Sequence, residues 1–146
     1  MTLTPEEKRQ HGEALIAALN ARDFDAIVAS PFFDDEHAEF RSVIAMSEGE
    51  VYRGVQGLRD WAANVDDTWD DFRVEIVAHH DIDPDRSLVV LNATGQAKVS
   101  GVPLDLQTAQ IWTWRDGVMV ENDSFTDPRE AFEAAGLPYE PSTRST

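Results

Sequence analysis

Residues 87–127 read SLVVLNATGQAKVSGVPLDLQTAQIWTWRDGVMVENDSFTD, and the fold turns on this stretch. Three apolar-rich runs are separated by turn signals at Ser100-Gly101 and Asp116-Gly117. Asp-Gly between β-type runs is a strong hairpin signal, because tight hairpin turns need positive φ angles that few residues tolerate. The pattern predicts a three-strand antiparallel meander. Within its middle strand, Leu106, Thr108, Gln110, Trp112 and Trp114 share one face. Asp105, Gln107, Ala109, Ile111 and Thr113 share the other, since successive side chains alternate. Both faces are partly apolar, so both need cover. Helices cover one; a second subunit, making a homodimer, is the simplest cover for the other.

The chain before the meander reads as that helical cover. Thr4-Pro5-Glu6-Glu7 carries a capping box with proline at the first helical position. His11, Leu15 and Leu19 fall on one stripe, widened by Ala14, Ile16 and Ala18. Asp23 caps a short second helix through Phe24, Ile27 and Val28, which Pro31 stops. Pro31 to Arg53 is irregular, with a strand expected over His37 to Ile44. Gly54 and Gly57 precede a third helix, in which Val55, Leu58, Trp61 and Val65 recur at helical spacing. Asp66 to Asp71 reads as an acidic linker. Phe72 to His79 alternates as a half-buried strand, and Asp81 to Arg86 is the turn into the meander. After it, Asp127 caps a short helix from Pro128 that Gly136 and Pro138 end. Residues 1–137 form one domain, and residues 138–146 a mobile tail. Helices followed by antiparallel strands make an α+β pattern.

At 146 residues without cysteine, the chain is long enough to bury about 70% of its unfolded surface with no disulfide or thiolate metal site. The N-terminal MTLTPEEKRQ has neither a basic start nor an apolar run, and no segment has the ~18 apolar residues of a membrane span. A cytoplasmic protein is expected. The formal charge of −16, from 28 acids against 12 bases, repels nucleic acid and anionic membrane. It reads as an acidic, solvated surface, with steering of a cationic partner as the alternative.

Two stretches resemble a known group. AALNARDFDAIVA, Ala17 to Ala29, resembles the first-helix junction of bacterial ketosteroid isomerases. SGVPLDLQTAQIWTWRDGVMV and DPREAFEAAGL, within Ser100 to Leu137, resemble SnoaL-like proteins, as does the spacing of Tyr52-Arg53-Gly54 before the third helix. Both groups belong to the NTF2-like superfamily. The resemblance implies a cone: a curved antiparallel sheet wraps over N-terminal helices around a pocket, and the outer sheet face often dimerises. It is specific for fold and poor for function, because one such fold hosts many chemistries.

Ketosteroid isomerase uses an aspartate base and an oxyanion hole of tyrosine and protonated aspartic acid. Local matching puts the tyrosine position at Leu15, the base at Phe40 and the aspartic acid at Gln110. All three groups are replaced. One lost oxyanion-hole donor costs ~10²–10³ in rate, and a positioned base contributes roughly 10²–10⁴, so isomerisation by that route is not expected. Glu39 would substitute for the base only through a one-residue slip that also turns it to the other face. Matching to limonene-type epoxide hydrolases puts their last-strand acid at Ser124 and their Arg/Asp pair near Leu91 to Ala93, which carry no charge. Asp123 is the nearest last-strand acid to what SnoaL-type cyclases use, but it lies on the opposite parity from Asn122 and Ser124.

Other constellations have plain readings. His79-His80-Asp81 invites a metal, yet adjacent strand residues point to opposite faces. Asp81-x-Asp83-x-Asp85 starts like a calcium loop, but Arg86 stands where glycine is needed and Asn92 where the bidentate glutamate belongs. Asp34-Asp35-Glu36-His37 reads as a solvated loop, or else a charged pocket rim. No metal and no cofactor are expected. The candidate ligand pocket is Leu15, Phe40, Trp61, Thr108, Gln110, Trp112, Asn122 and Ser124, apolar with a few polar groups. No catalytic residue is assigned. The resemblance implies a cofactor-free isomerase- or cyclase-type enzyme on a hydrophobic carbonyl or polyketide-like compound. The alternatives are a non-catalytic binding module for a small apolar ligand and a dimerisation domain.

Overall fold

A computed structural model describes residues 2–41 and 51–142. Helix α1 (Pro5–Asn20) starts at the expected capping box, with Thr4 and Glu7 bonded to each other's backbone N–H. Helix α2 (Phe24–Ala29) is capped by Asp23, whose side chain accepts from the Ala26 N–H. Then come β1 (Glu39–Arg41), β2 (Tyr52–Arg53), α3 (Gly54–Thr68), β3 (Trp69–Asp83), β4 (Arg86–Ala97), β5 (Pro103–Arg115), β6 (Val118–Phe125) and α4 (Pro128–Ala135). The six strands form one curved, unclosed sheet in the order β2-β1-β6-β5-β4-β3. Only the β1–β6 pair is parallel. The fold is the α+β, NTF2-like cone that the resemblance implied.

The sheet has two apolar faces. The inner one carries Val74, Val89, Leu91, Ala93, Trp112 and Met119, and packs with Ile16, Leu19, Ile27, Leu58, Trp61 and Val65 of α1, α2 and α3. The outer one carries Leu88, Val90 and Ala109 and is covered by Ala131 and Phe132 of α4. The chain's own last helix therefore covers part of the face for which a second subunit was the expected cover. Asp127 accepts from the Arg129 N–H to cap α4, and Gly136 ends it with φ 72°. Beyond Leu137, in the stretch expected as a tail, the Tyr139 ring meets Phe132 at 5.4 Å. The Arg129 guanidinium lies over the Tyr139 ring, 4.4 Å from its centroid, and Gln107 donates to the Ser142 carbonyl at 3.4 Å.

Several boundaries differ from the sequence reading. Helix α3 includes Gly54 and Gly57 and runs to Thr68, and β3 begins at Trp69. The acidic linker therefore does not exist: its first residues finish a helix and the rest open a strand. Strand β3 also continues through His79 and His80 to Asp83, leaving only Pro84-Asp85 as the turn. Of the strand expected over His37 to Ile44, Glu39–Arg41 forms β1, and Ser42 to Ile44 lie outside the described residues. The buried stripe of α1 is Lys8, Gly12, Ile16 and Leu19, rotated from the predicted one; Ala14 is exposed.

That rotation has a cause at each end of α1. Lys8 is 1% exposed, donates to the Asp83 carbonyl at 2.8 Å and forms an ion pair with Asp81. Asn20 holds both polar groups of the Val74 peptide, donating to its carbonyl at 2.8 Å and accepting from its N–H at 3.0 Å. Strand β3 lies at one edge of the sheet, and exposed edge groups invite stray pairing. Helix α1 thus satisfies that edge with one side chain near each of its ends.

Candidate functional site

Between α1, α3 and the inner sheet face lies a cavity of about 60 Å³. Its walls include Leu15, Ile16 and Leu19 from α1, Leu58 and Trp61 from α3, and Val74, Leu91 and Ala93 from β3 and β4. Phe40, Thr108, Gln110, Trp112, Asn122 and Ser124 complete it from β1, β5 and β6. All eight residues predicted to share a pocket line this one cavity. Strand register explains the convergence. Trp112 pairs with Asn122 and Gln110 with Ser124 across β5–β6, while Phe40 pairs with Asn122 across β1–β6. Paired residues share a face, so one choice of parity on β5 sends the six strand residues of the set inward.

The polar groups form a connected, neutral network. The Trp112 indole N–H donates to Gln110 Oε1 at 2.7 Å. Asn122 Nδ2 donates to the same oxygen at 2.9 Å. Gln110 Nε2 donates to Ser124 Oγ at 3.1 Å. An indole N–H can only donate, so it fixes which end of the Gln110 amide faces it. The carbonyl end then requires Asn122 to present its NH₂. Asn122 Oδ1 is left turned away, buried and without a hydrogen-bond partner. The three positions mapped from ketosteroid isomerase, Leu15, Phe40 and Gln110, all border the cavity and none is ionisable.

Trp112 has its place because of Gly12. A Cβ at Gly12 would come within 2.9 Å of Trp112 Cζ3, so the indole lies directly on the α1 backbone. Glycine inside a helix costs about 1 kcal/mol relative to alanine. The close approach of ring to helix is what this glycine permits.

Arg41 borders the cavity and was not among the predicted residues. Its neighbour Phe40 faces in, so the alternation of β1 turns the Arg41 side chain out with Glu39. The guanidinium lies 3.3 Å from Glu121 and 3.5 Å from Glu39. Sequence reasoning missed it because strand alternation places Arg41 on the opposite parity from Phe40. Among the described residues, no carboxylate lines the cavity. Asp123 pairs with Ile111 and Arg41, on the outward parity expected of it.

The remaining acidic motifs have structural partners, whereas His11 Nδ1, His79 Nε2 and His80 Nε2 are buried without a hydrogen-bond partner. Asp34 accepts from the Glu36 and His37 N–H groups, closing its own turn. Asp35 accepts from the Val55 N–H at 2.8 Å and so caps α3, a role for which no local signal existed. The Asp35 carbonyl also explains Gly54, whose φ is +60° and whose added Cβ would sit 2.2 Å from that oxygen. His79 pairs with Val89 of the inner face and His80 with Leu88 of the outer face, so their rings lie on opposite sides. Burial, more than any charge, pushes the His79 imidazole below its ordinary pKa; Asp81 opposes this and Lys8, Arg9 and His80 reinforce it. Burial likewise lowers His11, whose ring stacks on Phe32 at 3.3 Å.

With fold and cavity in view, comparison with known proteins places the chain. A model of the SnoaL-like domain matches residues 13–122, and the chain belongs to that family. No curated protein matches it. Solved structures share the fold at low identity. A hypothetical protein with ketosteroid isomerase-like fold from Catenulispora acidiphila, in complex with trimethylamine, is 18% identical, with TM-score 0.65 over 95% of this chain and 100% of that one. TerC co-crystallised with polyporic acid is 18% identical, with TM-score 0.67 over 91% and 99%. A putative polyketide cyclase from Sinorhizobium meliloti is 22% identical, with TM-score 0.55 over 75% and 88%.

Proposed function

We propose that this SnoaL-like domain, residues 1–137, is a binding module that holds a small, largely apolar molecule against Leu15, Phe40, Trp61, Thr108, Gln110, Trp112, Asn122 and Ser124. One observation carries the reading: the cavity walls are largely apolar, no carboxylate is among the described lining residues, the polar groups Thr108, Gln110, Asn122 and Ser124 are neutral, and the one charged lining residue, Arg41, is paired with Glu39 and Glu121. Acid–base turnover needs a group poised to take or give a proton near working pH. Amides and an alcohol do not supply it; they orient a guest. The structures solved with trimethylamine and with polyporic acid support small-molecule occupancy of this fold. A cavity of about 60 Å³ is less than half the ~150 Å³ of an apolar cavity that binds benzene, so a guest of one small ring requires the walls to open somewhat and a fused polyketide requires far more.

Toluene is a suitable probe. Its titration into the purified protein, followed by calorimetry and tryptophan emission, is expected to show one saturable site. Absence of binding, or binding unchanged when Trp112 is replaced by Ala in a folded variant, overturns the reading. A second reading, a cofactor-free isomerase- or cyclase-type enzyme acting on a carbonyl compound, draws support from the likeness to the putative polyketide cyclase. Turnover of a small cyclic enone, followed by NMR of the product, would favour it.

The reading includes a cytoplasmic homodimer, formed through the part of the outer sheet face that α4 leaves uncovered. Sedimentation at moderate salt tests this: particles of ~16 kDa alone would refute it, low salt being avoided because two chains of charge −16 repel.

A further inference from the structure

Within the cavity's neutral network, one oxygen has no donor. Asn122 is 7% exposed, and its Oδ1 has no hydrogen-bond partner. No rotation of the network removes the deficit. Turning the Asn122 amide would set its oxygen against Gln110 Oε1, two acceptors in contact. Turning Gln110 as well would set its NH₂ against the Trp112 indole N–H, two donors in contact. The indole, held on the α1 backbone at Gly12, therefore dictates that one amide oxygen is buried without a donor. A buried, unpaired carbonyl is costly, because it has given up its hydrogen bonds to water and gained none in return. Ser124 carries the complementary surplus. Its Oγ accepts from Gln110 Nε2, which leaves its own proton free to donate.

We infer that the site selects a neutral hydroxyl compound, an alcohol or phenol on a small apolar body. Its O–H donates to Asn122 Oδ1, and its oxygen accepts the free Ser124 proton. A ketone or aldehyde offers no donor, so it leaves the Asn122 oxygen unpaired. An ammonium ion offers donors but finds no carboxylate among the described lining residues, and losing its hydration there is costly. The inference rests on the small-molecule reading of the same cavity, and narrows the guest from apolar molecules in general to hydroxyl donors.

Phenol, toluene and benzaldehyde are near-equal in size and differ in this one group. Each is titrated calorimetrically into the wild-type protein and into Asn122→Leu and Ser124→Ala, with circular dichroism confirming that each variant folds. For Asn122→Leu, the expected result is a loss of phenol affinity of tenfold or more, with toluene unchanged or tighter. Ser124→Ala should weaken phenol and benzaldehyde by smaller factors. A readout on the wild-type protein needs no variant: the Asn122 side-chain amide signals in a ¹⁵N spectrum should move with phenol and stay with toluene. Equal responses of phenol and toluene to Asn122→Leu, or equal movement of the amide signals, would overturn the inference; a water molecule satisfying the oxygen beside either guest would give that result. It would leave the apolar pocket standing, because toluene still binds. If no probe binds the wild-type protein, both readings fall together.

Discussion

Two of the places where the chain buries polar groups are built in opposite ways. At the N-terminal end of α1, Lys8 is charged and enclosed, and it finds two acceptors, Asp81 and the Asp83 carbonyl. At the middle of the sheet, the groups around Gln110 are neutral, and one of them lacks a partner. A buried charge must be paired, or its desolvation unfolds the protein. A neutral amide short of one hydrogen bond costs far less, so a fold can carry it where a guest supplies the missing donor. Lys8 is fully paired where α1 meets the edge of β3; the Asn122 oxygen, on a residue that lines the cavity, is not.

The comparison predicts its largest effect at the charged corner. Asp81→Asn leaves the Lys8 ammonium enclosed without its counter-ion, and should destabilise the fold by about 3 kcal/mol in urea melts. Lys8→Met removes the charge itself and leaves Asp81, a third of whose side chain is exposed, to water. It should therefore cost less than Asp81→Asn. The reverse order would mean that the pair does not hold the corner. Ligand affinity should stay unchanged in both variants.

Asn20 sharpens the contrast, because it is neutral yet fully used. Asn20→Ala frees both groups of the Val74 peptide on the sheet edge, and should cost about 1–2 kcal/mol. It should also raise the hydrogen-exchange rate of the Val74 amide. Asn122→Leu, at the same residue type in the cavity, should cost less, because it removes the unpaired oxygen along with one bond. Gly12→Ala tests the wall between the two regions. Helix propensity gains about 1 kcal/mol, while crowding against Trp112 costs about 1–3 kcal/mol. A net loss near 1 kcal/mol is expected, with a shift in Trp112 emission and weaker toluene binding.

The smallest effect is on pH. The folded state lowers the pKa of His79 and of His11 below the ordinary 6.5, so each is kept neutral by folding. The unfolded chain then binds more protons as pH falls. Stability from these groups is complete above about 6.5 and drains away as pH drops through that value toward the folded pKa. Acidification also relieves the repulsion of a −16 chain, so the comparison must be internal. Between pH 7.5 and 5.5, the melting temperature of wild type should fall relative to that of His79→Gln. Parallel curves would show that the His79 ring is not held neutral.

How much of this was legible in the sequence differs along the chain. The meander and the inward set on β5 were readable because turn residues fix strand ends and strict alternation fixes faces. That same alternation carried the expectation to Asn122 and Ser124, whose partners follow from the Asp116-Gly117 turn. The α3–β3 junction was misread because four aspartates within Asp66 to Asp71 give a loop-like composition, which masks the passage of one element directly into the next at Thr68-Trp69. Lys8 was missed because a lysine in an amphipathic helix normally marks the solvent side. Its burial depends on Asp81 and Asp83, more than 70 residues away, and no local pattern reports that. The docking of α4 on the outer face has the same character. Its cap and its stop are local signals, whereas the apolar patch that receives Phe132 is assembled from β3, β4 and β5.

The most direct test of the cavity is a ¹⁵N spectrum of the whole protein, recorded while toluene is added. Saturable movement of the Trp112 indole N–H, with Phe132 and the rest of α4 unmoved, is the predicted result. Signals that stay fixed around Trp112, or that move on the α4 side instead, would contradict the account.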